Sequence, residues 1–395
     1  MTQLVRKLFS LNLSVMRLFG FYPTKNYKNI YRVYAYTVYI FFVVPTPILT
    51  SLYLLFGENV DLALVAQNAF SIGETGCFVF KLLQFIRNSD KIRRCIYMVE
   101  SPIFTNYVKT QEQIMDDCVH VCTRNSNFFQ FFCILTAASW AAVPLFGKEY
   151  RLPLDIWLPY DVTRGGLPYI LSYIFLVSGV SIDSVLNGAI DPLIGGLLYY
   201  AATQIKILKN NLENITKYAE EQLLSEMKGE DNYEKIIELK SKIVYQRLKF
   251  CVKLHKTILN FVEEYEGTFT SMVFVQFSAS VVVICISCLQ LIIVEPFTMS
   301  FFSMVIFINA VLMEILFYCY YGTILFEESF SLTTSAYMSE WYEYSLKSKR
   351  GLIIFMERCK KPIIVTSGKI LDLSLDTFTT ILRRSYSLLA VLKNY

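Results

Sequence analysis

Apolar runs of about 20 residues recur along this chain, separated by short polar stretches, and a helix of that length crosses the hydrocarbon core of a bilayer. The runs and their breakers predict seven spanning helices, at 30–56, 62–87, 128–146, 167–208, 249–294, 297–322 and 366–392. The fourth and fifth are longer than a bilayer needs at about 1.5 Å per residue, so their polar ends are expected to project well out of the membrane. Ahead of the first run, Leu4, Leu8, Leu11, Val15 and Leu18 share a helical face, with Arg6, Lys7 and Arg17 elsewhere. That pattern suits a helix lying on the inner membrane surface, and equally an ordinary packed amphipathic helix.

Composition agrees with the pattern. Hydrophobic residues make up 54% and charged residues 18%, where a soluble domain has about 25% charged. Mean hydropathy is +0.42. The net charge of +4 is too mild to suggest a nucleic-acid partner. The start of the chain lacks an uninterrupted apolar core and a small-residue cleavage site, so no signal peptide is expected.

Lysine and arginine set the orientation. Segment 1–29 carries Arg6, Lys7, Arg17, Lys25 and Lys28, and connection 57–61 has none. Region 88–123 carries Lys91, Arg93, Arg94 and Lys109, whereas the cations of 147–166 are balanced by Glu149, Asp155 and Asp161. Stretch 206–256 is rich in lysine, turn 294–296 has no cation, and 345–361 holds Lys347, Lys349, Arg350, Arg358, Lys360 and Lys361. The alternation predicts a cytoplasmic N-terminus and, with seven spans, an extracellular C-terminus. That is opposite to a G-protein-coupled receptor.

Enzyme chemistry finds no purchase. The histidines are His120 and His255, and no phosphate-binding glycine loop, HExxH or GxSxG occurs. Cys285 and Cys288 have metal-site spacing but lie in an apolar helix without a nearby His or Asp, and the isolated pair Cys118 and Cys122 is likewise read as packing cysteines. No enzyme activity, cofactor or metal is therefore expected. None of the ten cysteines falls in a predicted outer loop, so no extracellular disulfide framework is implied.

Polar residues inside spans are costly in lipid and turn toward protein or water. Glu74, Asp183, Glu314 and the pair Arg383/Arg384 qualify, with Asp183 and Glu314 read toward the cytoplasmic ends of their spans. On the last predicted helix, Leu373, Asp376/Thr377, Thr380, Arg384, Ser387 and Val391 recur at helical spacing. The opposite face (Ile370, Phe378, Ile381, Leu388, Leu392) is mostly apolar. A half-polar span is either buried against other helices or lines water. Lining water requires several copies about an axis, and Leu388, Leu389 and Val391 near the outer end can close such a path by dewetting. At similar depth in other spans lie Gln67, Phe70, Ser71 and Glu74; Thr136, Ser139, Trp140 and Val143; Tyr169, Tyr173, Ile174 and Val177; and Phe301, Phe302, Val305 and Ile308. Together these predict an apolar pocket in the outer half of the bundle for a small hydrophobic ligand, with ordinary helix packing as the alternative.

The C-terminal third resembles the insect odorant receptor family. The matching stretches are "HKTILNFVEEYEGTFTSMVFVQFSASVVVICISCLQL" at 255–291 and "SEWYEYSLKSKRGLIIFMERCKKPIIVTSGKILDLSLDTFTTILRRSYSLLAVL" at 339–392, with Lys361-Pro362, Gly368, Leu373-Ser374, Phe378 and Ser385-Tyr386-Ser387 as signature positions. The resemblance implies an all-α polytopic fold whose last helix is split into a cytoplasmic piece, about 337–349, and a pore-lining piece, 366–392. It implies an odorant-gated, non-selective cation channel of four subunits in the plasma membrane of olfactory sensory neurons. Thr380, Arg384, Ser387, Leu388, Leu389, Leu392 and Lys393 would stand along the pore, with Leu389 at the constriction; Lys393 departs from the apolar residue expected at the mouth. The link at 210–233 is short, whereas the shared co-receptor of the family carries a long insertion there, so the resemblance points to a ligand-tuned subunit partnered by the co-receptor. Trp140 and Tyr173 are the foremost pocket candidates.

The expected divisions are an amphipathic segment at 1–29, helices one to four at 30–208, a cytoplasmic link at 209–256, helices five and six at 257–322, an anchor segment at 323–365, and the pore helix at 366–395. A gustatory-type channel subunit, a G-protein-coupled receptor and a secondary transporter stand as alternatives. Sequons at Asn12 and Asn214 would remain bare with a cytoplasmic N-terminus.

Overall fold

The computed structural model describes residues 3–22, 28–56, 62–146, 151–160, 162, 165–226 and 233–392. Among them, six helical segments are long and apolar enough to cross a membrane: Asn29–Phe56, Asn68–Arg87, Thr110–Leu145, Leu167–Glu213, Tyr233–Ile293 and Met299–Tyr337.

Helix α1 (Gln3–Leu18) is a packed helix rather than one lying on a surface. Val5, Leu8, Phe9, Leu13 and Met16 are buried, and α1 packs on α6 and α7. The buried Asn12 side chain donates to Ala189 O at 2.7 Å, so this sequon asparagine is an internal tie. The first crossing runs through α2 (Lys28–Val38), a π-helical turn at Tyr39–Val43, and α3 (Pro45–Phe56). Pro45 has no N–H to continue a regular ladder, and Val44 N bonds five residues back to Tyr39 O at 3.0 Å.

Helix α4 spans Leu62–Arg87, as the sequence predicts, and is followed by α5 (Ser89–Met98). The third crossing is longer than predicted. Helix α6 runs Lys109–Ala142, because the polar residues ahead of Phe128, most of them exposed, stay helical instead of ending it. Helix α7 (Leu167–Glu213) is the central post, buried almost continuously from Leu186 to Leu208 and packed on α6, α10, α9 and α1. Pro192 lies inside it and removes the N–H that Gly188 O would accept. The Gln130 amide, with its nitrogen turned to α7, supplies that bond at 3.3 Å.

Helix α8 (Ile215–Glu226) folds back against α9, a single helix of 61 residues from Tyr233 to Ile293 that begins well before the predicted 249. Helix α10 (Met299–Phe330) and the short α11 (Leu332–Tyr337) lead to α12 (Leu346–Cys359). The polar piece ahead of the last helix is therefore α12, not 337–349, and Ser345 caps it by accepting from Ser348 N.

The last helix also differs from expectation. It starts at Leu375, not at 366, and α13 is Leu375–Leu392. Thr366–Ser367 and Leu371–Asp372 instead form a small antiparallel hairpin, β1–β2. Gly368 has φ +62° and Lys369 φ +60°, a turn no helix can contain. The hairpin is pinned to α9: Thr366 N donates to Glu266 Oε1 at 2.6 Å and Gly368 N to Thr270 Oγ1 at 2.7 Å. Ser374 then opens α13 by accepting from Thr377 N at 3.2 Å.

At Gly322 of α10 an added Cβ would collide with the carbonyl oxygen of Leu373, so only glycine allows the chain entering α13 to seat there. Gly322→Ala is expected to unseat α13 and cost about 1–3 kcal/mol, the range for overpacking a fixed contact. Thermal unfolding of detergent-solubilised protein would read this as a lowered Tm.

Candidate functional site

Helices α4, α6, α7 and α10 enclose a cavity of about 110 Å3. Each helix contributes one stripe at helical spacing. Phe70, Glu74 and Phe78 come from α4; Phe129, Cys133, Thr136, Ala137 and Trp140 from α6; Val177, Val180, Asp183, Ser184 and Asn187 from α7; Phe307, Ala310, Val311 and Glu314 from α10. Phe70 stands between Trp140 and Phe307, with ring centroids 5.5 Å and 5.3 Å away, which makes one wall aromatic. Pro153 and Leu154 roof the cavity from the α6–α7 connection. That connection is held in place by Trp157 N on Leu49 O at 3.0 Å and by Tyr160 and Ser172 hydroxyls 2.9 Å apart. Within it, burial raises the Asp155 carboxyl above its ordinary range, against the pull of the Asn68 amide and Arg151.

The opposite end is ionic. Lys81, Asp191 and Glu314 are each 1% exposed. Lys81 Nζ donates to Glu314 Oε1 at 2.8 Å and to Asp191 Oδ1 and Asn187 Oδ1 at 2.9 Å, which uses all three of its protons. Tyr318 OH adds a bond to Asp191 Oδ1 at 2.6 Å. Three helices, α4, α7 and α10, are thus tied at one level by a single ammonium.

Six of the residues expected from sequence meet on this cavity: Phe70, Ser71, Glu74, Thr136, Trp140 and Val177. The Gln67 side chain lies outside the described residues. The others lie off it. Ser139 donates to Thr136 O along its own helix at 2.8 Å, and Val143 belongs to a terminal 3-10 turn. Tyr173 donates to Ala141 O at 2.6 Å, clamping α7 to α6, and the Tyr169 ring packs tilted against it while its hydroxyl donates to Arg151 O. Ile174 is 58% exposed on the far side of α7. On α10 the cavity takes the row Phe307, Ala310, Val311 and Glu314, so the row Phe301, Phe302, Val305 and Ile308 faces elsewhere, with Phe302 47% exposed. The cavity also reaches deeper than the outer half of the bundle, and Asp183 and Glu314 line it rather than sitting at cytoplasmic ends. Lys81 and Asp191 give little sequence signal: Lys81 precedes Arg87 by under two turns and resembles an interfacial cation, and Asp191 abuts Pro192.

A second feature is the outward face of α13. Ile381 and Ser385 are buried against the bundle, with Ser385 Oγ donating to Val281 O at 3.2 Å. Thr379, Thr380, Arg383, Arg384, Ser387 and Leu388 are exposed, and Leu389 is half-buried. The Leu392 side chain and Lys393 lie outside the described residues.

The family model described as "7tm Odorant receptor" matches residues 61–386. Odorant receptor Or1 of Anopheles gambiae is 24% identical over 400 residues, covering 98% of this chain and 95% of the relative. Odorant receptor 46a, isoform A, of Drosophila melanogaster is 23% identical over 333 residues, covering 83% and 82%. The solved insect olfactory receptor OR5 from Machilis hrabei has a TM-score of 0.81 at 15% identity, covering 98% of each chain. Its complex with eugenol gives 0.83 at 16%, covering 99% and 98%. At such identity the likeness to the solved receptor carries the fold.

Proposed function

The chain belongs to the 7tm odorant receptor family, multi-pass membrane receptors rather than enzymes, and from that premise we propose that it is the odorant-tuned subunit of a heterotetrameric, ligand-gated cation channel completed by the shared co-receptor. The N-terminus is cytoplasmic, the C-terminus extracellular, and the setting is the plasma membrane of olfactory sensory neurons. A small hydrophobic volatile enters the cavity beneath Trp140 and Phe70, and its binding opens a pore lined by the last helix of every subunit.

The observation that carries this reading is the outward polar face of α13. A cation at the bilayer centre costs roughly 2.5–3.5 kcal/mol on insertion scales. Thr380, Arg384 and Ser387 on the outside of one protomer therefore do not face lipid; other subunits and a water-filled axis cover them. Leu388 and Leu389 follow one turn further out and supply an apolar constriction. Lys393, beyond the described residues, sits in the sequence where a cation would repel permeant cations.

Assembly has a second support outside the spans. Tyr342, Leu346, Ile353 and Ile354 around α12 are exposed, with Leu346 at 75% and Ile354 at 71%. An apolar patch in the aqueous phase marks an interaction surface. The inner ends of α7 and α9 with α8, α11 and α12 form the cytoplasmic anchor through which four subunits meet. Short linkage at α8 is consistent with a tuned subunit.

An odorant panel applied under voltage clamp tests the reading. The chain co-expressed with the co-receptor is expected to give ligand-evoked cation currents absent from cells expressing the co-receptor alone. Concentrative uptake of a ligand without current would contradict it.

A further inference from the structure

We propose that Asp183 is the polar anchor of the cavity and that it selects small apolar ligands bearing one hydrogen-bond-donating headgroup, a hydroxyl or an amine. This rests on the reading of the cavity as the ligand site. Asp183 lines the cavity and is 7% exposed, yet neither carboxyl oxygen has a hydrogen-bond partner. A buried polar atom left unpaired costs about 1–3 kcal/mol, more if charged, so native structures leave few such atoms without a reason. The buried cation Lys81 does not relieve it, because its protons are spent on Asn187, Asp191 and Glu314. Glu74 on α4 presents a second buried oxygen without a partner, Oε2, from another wall of the same cavity.

The cavity is therefore two-ended, aromatic at Phe70 and Trp140 and oxygen-rich at Asp183 and Glu74. A hydroxyl meets a carboxyl group as both donor and acceptor, and an ammonium meets a carboxylate as donor and counter-charge. An ether oxygen only accepts, and leaves these oxygens as they are. A site built around such a bond rejects analogues lacking it far more strongly than it sorts methylenes.

The test uses matched triplets on short alkyl and phenylalkyl skeletons: primary alcohol, primary amine and isomeric methyl ether. Each is applied to the receptor with its co-receptor, with surface expression measured in parallel. The wild type is expected to respond to the alcohol or the amine at roughly tenfold or more lower concentration than to the ether. Asp183→Leu is expected to bring that ratio close to unity. Should the leucine variant fail to reach the membrane, Asp183→Asn reads the same quantity: its amide also donates to an ether, so the ratio shrinks, and the amine loses more than the alcohol. Equal or better activation of the wild type by the ethers would overturn the proposal. An unchanged ratio in the Asp183 variants, with Trp140→Ala weakening all three ligands, would overturn the anchor and leave the cavity standing. No effect from either position would overturn both.

Discussion

Lys81→Met is expected to remove nearly all folded receptor from the cell surface. The ammonium it deletes is buried and ties α4 to α7 and α10 through Asp191, Asn187 and Glu314. What remains is a pair of buried carboxyl groups with no cation between them. Breaking a buried ion pair by removing one partner costs about 3–5 kcal/mol. Total stability is roughly 5–15 kcal/mol, so one such loss takes a large share of it. Surface biotinylation and size-exclusion profiles of solubilised receptor measure the effect. The triple variant with Asp191→Asn and Glu314→Gln replaces the charged cluster by neutral groups and is expected to recover part of the loss. Normal delivery of Lys81→Met alone would mean that the cluster contributes little to folding.

Trp140→Ala is expected to have the next largest effect, on ligand response rather than on delivery. Its ring faces the cavity against Phe70 and packs beside Leu154 and Leu176. Losing this wall is expected to raise the half-maximal odorant concentration by about tenfold to a hundredfold, about 1.4 kcal/mol for each tenfold. Tyr173→Ala serves as the contrast. Tyr173 lies off the cavity and its hydroxyl is engaged by Ala141 O, so a smaller shift is expected. Dose–response currents normalised to surface expression compare the two. A larger shift for Tyr173→Ala would move the ligand outward, toward the region the sequence suggested.

The crossings were legible because about 20 apolar residues in a row admit few other readings. Helix α4 shows this, with both ends where the runs and breakers put them. The misread boundaries have local causes. Polar residues extend α6 and α9 out of the membrane without breaking the helix, and hydrophobicity cannot see that continuation. At 366–374 the run looks helical, but the left-handed turn at Gly368 and the Glu266 and Thr270 contacts make a hairpin.

The site was legible only in part, because choosing which row of a membrane helix faces inward depends on its rotation. On α4 and α6 the polar members Ser71, Glu74 and Thr136 fixed that rotation. On α10 both the cavity row Phe307, Ala310 and Val311 and the row Phe301, Phe302, Val305 and Ile308 are apolar, so the row one position away was as plausible. The ionic cluster stayed hidden because Lys81, Asp191 and Glu314 are separated by more than a hundred residues at each step and meet only in space.

Ion conduction depends most on what the outward face of α13 meets in the assembled receptor. Single cysteines at Thr380 and Ser387, probed with a cationic methanethiosulfonate reagent during odorant application, ask this directly. Background is low, since nine native cysteines are buried and only Cys288 is half-buried. With a pore lined by that face, modification at Thr380 and Ser387 is expected to reduce current only while odorant is present, and cysteines at Ile381 and Ser385 are expected not to respond. Current unchanged by the reagent at Thr380 and Ser387, with loss from Ile381 or Ser385 instead, would contradict a pore lined by that face.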